Sequence, residues 1–141
     1  MHENKLFSTT EIKVRFNEVD SMGVVWHGNY VDYLEDGRED FGEKFGLHYL
    51  DFFREGIIVP LVKIDIDYKK SLKYGEKAII ETRYVDTEAA KLIFDYTISR
   101  SSNMEIIATA RSIQVFLNSE MELQLTFPEF FMKWKQKYFG K

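Results

Sequence analysis

A strand pattern that runs into a glycine-containing loop and then into a helix constrains the fold of this chain more than any other feature. Ile12, Val14 and Phe16 occupy every second position and polar residues lie between them, which is the spacing of a half-buried β-strand. Asp20 and Gly23 follow in the loop. The pattern therefore predicts an acidic side chain between the end of a strand and the start of a helix.

The helix is predicted to begin at Asn29, a residue type that caps the free N–H groups of a first turn, with Asp32 completing a capping box. Apolar residues then recur at helical spacing, at Tyr30, Leu34, Phe41 and Phe45. A helix N-terminus attracts negative charge because its first N–H groups have no partner within the helix. Asp20 just before such a terminus predicts a nucleophile or base beside an oxyanion site.

Four further strands are predicted downstream of this helix. Apolar residues alternate with polar ones over 62–68, 78–84 and 92–98, and a fourth apolar run covers 106–117. The strand at 62–68 is expected to have one buried face and one solvated face. One long helix followed by strands in series predicts an α+β fold, in which an antiparallel meander curls around the helix.

Two shorter helices complete the predicted elements. Residues 47–54 carry apolar side chains and end before a glycine, as a short helix or turn would. An aromatic helix is predicted over about 127–138, capped by Thr126, and is expected to cover a sheet edge or a subunit contact. Within the long helix, Gly37 and Gly42 each cost about 1 kcal/mol relative to alanine, so we expect close backbone packing there.

Length and composition predict one soluble domain over residues 1–141, with its core at about 7–118. The formal net charge of −4 gives no general attraction to nucleic acid. The chain has no cysteine, which excludes disulfides and cysteine-ligated zinc, and its three histidines are too dispersed to predict a metal site. Residues 1–5 lack a signal-peptide pattern, and no apolar run reaches the ~20 residues of a membrane span. A cytoplasmic protein without membrane contact is expected.

The residue order between Arg15 and Arg38 carries a family resemblance. The matching residues are Arg15, Phe16, Glu18, Asp20, Met22, Gly23, Val24, Val25, Trp26, His27, Gly28, Asn29, Tyr30, Tyr33, Leu34, Glu35 and Arg38. This order resembles the 4-hydroxybenzoyl-CoA thioesterase/YbgC group of hotdog-fold acyl-CoA thioesterases, over about residues 7–118. The resemblance implies a hotdog fold, with a curved antiparallel sheet around one long central helix. It also implies hydrolysis of a thioester to a free acid and coenzyme A, without a metal or redox cofactor.

The resemblance assigns the catalytic carboxylate to Asp20, which would otherwise be an ordinary turn aspartate. Asp20 could attack the thioester carbonyl to form a mixed anhydride, or it could activate water as a general base. The family implies that the backbone N–H of His27 faces the thioester oxygen, although its side chain could instead transfer a proton. The N–H groups at the helix start, including that of Gly28, are expected to stabilise the oxyanion.

Three groups of residues are predicted to bind the substrate. The loop and helix start contribute Gly23, Val25, Trp26, Asn29 and Tyr30. Val59 and Pro60 are candidate walls of an apolar acyl pocket, although such residues also serve as ordinary core. Lys69, Lys70 and Lys73 form the densest basic run and are candidate ligands for the phosphates of coenzyme A, with a solvated surface as the alternative.

Other functions fit parts of this pattern. An acyl-carrier-protein thioesterase would differ only in how it recognises the carrier. A hotdog dehydratase would need His27 paired with a helix acid such as Asp40, and a related thioesterase branch places a catalytic glutamate on the helix, which would be Glu35. Glu35 can equally pair with Arg38. A non-catalytic acyl-binding protein is the fourth alternative, and the Asp20 signature favours the thioesterase.

A homo-oligomer, either a dimer or a tetramer, is also predicted. A single sheet around one helix leaves a strand edge exposed, and such an edge pairs readily with a second copy. Residues 5–17 and 106–117 offer long strands for this pairing. The resemblance implies a substrate cleft between subunits, because hotdog subunits pair by joining their sheets.

Overall fold

The structure, a computed structural model, describes residues 6–140. The expected absence of a leader concerns residues 1–5, which lie outside this range. The elements in chain order are β1 (Phe7–Lys13), a 3₁₀ turn (Phe16–Glu18), α1 (Asn29–Phe45), α2 (Tyr49–Arg54), β2 (Leu61–Tyr68), β3 (Lys77–Val85), β4 (Lys91–Arg100), β5 (Ile106–Val115) and α3 (Glu129–Phe139). Among these, no helix is both long enough and apolar enough to cross a membrane.

The five strands form one antiparallel sheet in the order β1-β3-β4-β5-β2. The predicted α+β architecture is confirmed, but the predicted meander is correct only for β3, β4 and β5. Strand β2 does not pair with β3. It lies at the far edge against β5, where Asp65 is opposite Arg111. The segment 69–76 crosses the end of the sheet to reach β3, and eight residues are long enough to pass three strand spacings.

The long helix packs its apolar side chains against this sheet. Its buried apolar residues are Tyr30, Tyr33, Leu34 and Phe41. A methyl group at Gly37 would lie 2.3 Å from Thr82 Oγ1, and one at Gly42 would lie 2.7 Å from the carbonyl oxygen of Leu47. The expected close packing at both glycines is therefore confirmed.

The first strand is shorter than its sequence pattern. Phe16 was predicted to share a buried face with Ile12 and Val14, but it lies in the 3₁₀ turn with 75% of its surface exposed. A local turn ends the strand because Glu18 Oε1 accepts a hydrogen bond from the backbone N–H of Arg15 at 2.8 Å. The pairing strand predicted over 5–17 is therefore limited to Phe7–Lys13 within the described residues.

Both predicted helix caps are wrong. Gly28 is the N-cap of α1, and Asn29 is its first helical residue. The Asn29 side chain instead donates from Nδ2 to the carbonyl oxygen of Glu18 at 2.8 Å. At α3 the cap position is Pro128 rather than Thr126.

Helix α3 packs into the core of its own chain. Trp134 is 6% exposed, and its indole N–H donates to the carbonyl oxygen of Phe45 at 2.7 Å. Its ring meets Tyr84 of β3 edge-on at 5.0 Å. Coverage of a sheet edge or a subunit contact is therefore not needed to explain the aromatic face of this helix.

Strand β2 is an open edge in the single chain. Its apolar residues Leu61, Val62 and Tyr68 are 38%, 57% and 49% exposed, and Ile64 and Ile66 are only partly buried. The predicted buried face is therefore incomplete. The predicted pairing strand at 106–117 is also corrected, because β5 lies between β4 and β2.

Candidate active site

The loop after Val19 folds around the side chain of Asp20. The Asp20 N–H donates to Val24 O at 2.8 Å, and the Gly23 N–H donates to Asp20 O at 2.9 Å. Asp20 Oδ1 accepts from the N–H of Met22 at 2.8 Å and from that of Val24 at 3.4 Å. Gly23 has a φ of +80°, which favours glycine. Within residues 6–140 no donor reaches Asp20 Oδ2, so this oxygen can face a substrate or a water molecule.

Two backbone N–H groups at the start of α1 have no acceptor in the described chain, those of His27 and Gly28. The carbonyl oxygens on either side are used, since Trp26 O accepts from Asn29 N at 2.9 Å and His27 O accepts from Tyr30 N at 3.2 Å. Val19 pairs with Val25 in a β-bridge, which brings the Asp20 loop to this turn. The structure thus joins the loop of the predicted carboxylate to the turn whose N–H groups can bind an oxyanion.

The indole of Trp26 lies over Gly28. A methyl group at Gly28 would be 2.1 Å from the Trp26 ring, so only glycine allows this approach. Trp26 is 53% exposed, and its ring centroid is 4.9 Å from that of His27. Trp26 is therefore an aromatic wall beside the unpaired N–H groups.

Glu18 holds the two sides of the loop together. Its carbonyl oxygen accepts from the Trp26 N–H at 2.9 Å and from Asn29 Nδ2. Its carboxylate accepts from the hydroxyl of Tyr33 at 2.9 Å. Burial, and then this bond to Glu18, raise the pKa of Tyr33 well above its ordinary value. The side-chain amide of Asn29, predicted to bind substrate, thus contacts the loop itself, and Glu18 and Tyr33 support the site without having been predicted to do so.

Val25 and Tyr30 lie beneath the site rather than at its surface. Both are buried, at 6% and 2% exposure. The Val25 N–H donates to Leu72 O at 2.8 Å, and burial raises the pKa of Tyr30. In the single chain these two predicted substrate contacts therefore act as core under the loop.

The basic run lies beside the Asp20 loop. Lys73 forms a β-bridge with Val24, and Tyr74 N donates to Gly23 O at 3.4 Å. Lys69, Lys70 and Lys73 are all exposed, although Lys70 Nζ is also 3.5 Å from Glu105. The predicted phosphate ligands therefore reach the same end of the molecule as Asp20.

Arg100 anchors the segment that carries these lysines. Its guanidinium contacts Glu76 at 3.1 Å, the carboxylate of Glu105, and the carbonyl oxygen of Ser71 at 2.7 Å. Only 15% of the side chain is exposed. Arg100 could not be predicted from sequence in this role, because Ser71 and Glu76 lie 29 and 24 positions before it in the chain.

Val59 and Pro60 lie away from Asp20. They line a cavity of about 560 Å³ between α1, α2 and the β2 edge, and Asp20 is not among its lining residues. Arg38 on this cavity donates to the hydroxyl of Tyr96 at 3.1 Å, rather than serving only as a partner for Glu35. A single chain therefore separates the predicted acyl walls from the predicted catalytic group.

One group of possible metal ligands was not visible from the spacing. Carboxylates of Glu39 and Glu43 lie 3.6 and 3.8 Å from His48 Nε2. His48 Nδ1 caps α2 by accepting from the N–H of Leu50 at 3.2 Å. A neutral ring that accepts at Nδ1 carries its proton on Nε2. The arrangement therefore fits an imidazole whose Nε2–H faces two carboxylates, and a metal at Nε2 would require the loss of the cap.

Comparison with known proteins shows the family to which this chain belongs. A family model described as the thioesterase-like superfamily matches residues 14–135. YneP of Bacillus subtilis (strain 168), which carries a provisional acyl-CoA thioesterase name, is 34% identical over 93% of this chain and 94% of its own length. A solved DHNA-CoA thioesterase from Staphylococcus aureus has a TM-score of 0.78 at 29% identity, over 95% of this chain and 84% of that chain.

A solved variant of 4-hydroxybenzoyl-CoA thioesterase, complexed with 4-hydroxybenzoyl-CoA, has a TM-score of 0.79 at 20% identity. The match covers 92% of this chain and 98% of that chain, and at this identity it shows the fold. The family match spans the Asp20 loop, α1 and the strands β2 to β5, and it begins directly after β1. The chain belongs to the thioesterase-like superfamily, and it is a thioester hydrolase with the hotdog fold.

Proposed function

We propose that this protein hydrolyses acyl-CoA thioesters to a free acid and coenzyme A at the Asp20 loop. The observation that carries the proposal is the pair of N–H groups at His27 and Gly28, which have no acceptor within residues 6–140 and adjoin the loop of a carboxylate with a free oxygen. The thioester carbonyl oxygen accepts from these N–H groups, so that negative charge on it is stabilised as the carbonyl carbon is attacked.

Two routes follow from this arrangement. In the first, Asp20 Oδ2 forms a bond to the carbonyl carbon, the C–S bond breaks, the coenzyme A thiolate leaves, and water then hydrolyses the mixed anhydride. In the second, Asp20 takes a proton from water, whose oxygen attacks the same carbon while the thiolate leaves. Both routes use only these protein groups and water.

The position of Asp40 favours hydrolysis over dehydration. A dehydratase would require His27 and a helix acid at one site. Asp40 accepts from the hydroxyl of Thr10 at 2.6 Å, on the β1 side of α1. It also lies eleven residues after the start of the helix, about 16 Å along its axis. Within one chain, the two side chains are therefore too far apart to act on the same pair of substrate carbons.

We also propose that two copies of the chain complete the site. Antiparallel pairing of two β2 edges about a two-fold axis brings the Tyr68 end of one strand beside the Leu61 end of the other. The cavity at Val59 and Pro60 lies at the Leu61 end. The acyl group held at Asp20 would then enter the cavity of the second chain, which explains why one chain separates these groups.

The test is a hydrolysis screen over short, medium, long and aromatic acyl-CoA substrates. We expect the wild type to hydrolyse at least one class, and Asp20→Asn to lower kcat by at least about 10²-fold with the fold intact. Asp95→Asn is the matched control, because it removes a carboxylate from the outer face of the sheet, where Asp95 pairs with Arg111. Wild-type activity in a folded Asp20→Asn variant would contradict the assignment. Parallel assays with acyl-carrier-protein substrates distinguish the carrier.

A further inference from the structure

Tyr68 joins the edge strand to the turn that carries the oxyanion donors. Its hydroxyl donates to the carbonyl oxygen of His27 at 3.0 Å, across 41 positions of sequence. Its ring meets the buried ring of Tyr30 edge-on, with centroids 5.1 Å apart and planes at 82°. The contact with Tyr30 therefore holds the ring, and the bond to His27 fixes the direction of the hydroxyl, although the residue is half exposed.

The accepting carbonyl belongs to the same peptide unit as the Gly28 N–H. No peptide bond in the described chain is cis. In a trans peptide the C=O of one residue and the N–H of the next lie in one plane and point in opposite directions. Fixing the His27 carbonyl therefore also fixes the direction of the Gly28 N–H. A donor on the carbonyl additionally polarises the amide, which strengthens its N–H as a donor.

The His27 carbonyl has a second donor, the N–H of Tyr30 at 3.2 Å. This bond belongs to the first turn of α1 and sets only one direction for the carbonyl. The Tyr68 hydroxyl supplies the other from outside the helix. Because Gly28 has no side chain to restrain its backbone, this external bond adds a second restraint on the orientation of the peptide plane.

We propose that Tyr68 is a positioning residue for thioester hydrolysis, which orients and polarises the Gly28 N–H toward the carbonyl oxygen of the substrate. This inference rests on the proposed function. If Tyr68 had only a structural role, loss of its hydroxyl would be expected to leave kcat unchanged. His27 is exposed and its carbonyl keeps the bond from Tyr30, so loss of the Tyr68 hydroxyl leaves no buried group without a partner.

The kinetic test is Tyr68→Phe, which removes the hydroxyl and keeps the ring. Loss of an entire oxyanion donor costs about 10²–10³-fold in kcat, so a misdirected donor should cost about tenfold. KM should change less than about twofold, because the bond to the oxygen strengthens as charge develops. Tyr84→Phe is the matched control. It also removes a hydrogen-bonded hydroxyl, the one that contacts Asp86 at 3.3 Å, but in the core near α3.

A second measurement reads the amide directly. The ¹H–¹⁵N resonance of Gly28 should shift in Tyr68→Phe and stay in place in Tyr84→Phe, whether or not a substrate is known. An unchanged Gly28 resonance would overturn the inference. So would an active wild type whose kcat is unaltered by Tyr68→Phe. A wild type that hydrolyses no acyl-CoA would instead overturn the proposed function, and the Gly28 resonance would then report only whether Tyr68 orients this amide.

Discussion

At the scale of single residues, the site depends on the absence of a side chain at one position. Gly28 combines an N–H group that has no acceptor within residues 6–140 with a neighbour, Trp26, whose ring fills the space where a Cβ would be. The backbone of Gly28 is right-handed helical, with φ −66° and ψ −23°. Glycine is therefore required here by the closeness of the indole and not by its backbone conformation.

We expect Gly28→Ala to lower kcat by at least about tenfold, because a shift of the turn by a fraction of an ångström misplaces the N–H donors. Replacing the indole at the same time, in Trp26→Leu/Gly28→Ala, should restore part of the lost kcat by making room for the methyl group. Trp26→Leu alone is the control. Steady-state kinetics on the three variants checks this. An equal loss of kcat in Gly28→Ala and in the double variant would contradict the steric explanation.

The residues of this site could be predicted from sequence where they are close together in the chain. Asp20, His27 and Gly28 fall within nine positions, so one strand, one loop and one helix start predicted that they lie near one another, while their proposed roles come from the family resemblance. Tyr68 and Arg100 could not be found in this way. Their contacts cross 41 and 29 positions, and no local period reports which distant residue completes a turn.

At the scale of elements, the connection between β2 and β3 determines what surrounds the loop. Alternation in a strand reports which residues share a face, but it does not report which strand lies alongside. All the strands could therefore be predicted, while the position of β2 could not. Because β2 lies at the far edge, the segment 69–76 must cross the sheet end, and it meets the Asp20 loop there.

We expect replacement of Lys69, Lys70 and Lys73 together by alanine to raise KM for acyl-CoA severalfold with little change in kcat. Contacts to the phosphates are equal in the ground state and the transition state, so their loss affects binding alone. The effect should disappear with acyl-pantetheine, which lacks the nucleotide phosphates. Alanine at Lys91, Lys133 and Lys137 gives the same change in net charge elsewhere. An unchanged KM at low salt would place the phosphate site elsewhere.

At the scale of the whole molecule, the charges on the open β2 edge favour one register for the proposed pairing with a second copy. Lys63, Asp65 and Asp67 alternate with the apolar residues of this strand. A two-fold axis at Ile64 places Lys63 of each chain opposite Asp65 of the other, whereas an axis at Asp65 or Ile66 places acids opposite one another. Opposed like charges destabilise a strand pair. We therefore expect the axis at Ile64.

Sedimentation and light scattering at micromolar concentration should show a dimer or larger assembly, and activity should fall as it dissociates. Lys63→Asp should weaken the assembly, because an acid at position 63 of each chain would then face Asp65 of the other. The swap Lys63→Asp/Asp65→Lys should restore the assembly. The swap is a strict control because net charge and composition equal those of the wild type. A stable monomer with full activity would contradict the composite site.

The proposed catalytic groups and the proposed acyl cavity are built from different parts of the chain, and this affects how substrate selectivity can change. The proposed oxyanion donors are main-chain N–H groups, which every residue except proline carries, while the proposed acyl cavity is lined by side chains at other positions. Point substitutions around the cavity can therefore alter which acids are released without touching the reacting centre. Related proteins with this architecture can therefore change substrate preference by single substitutions while they keep the same reaction.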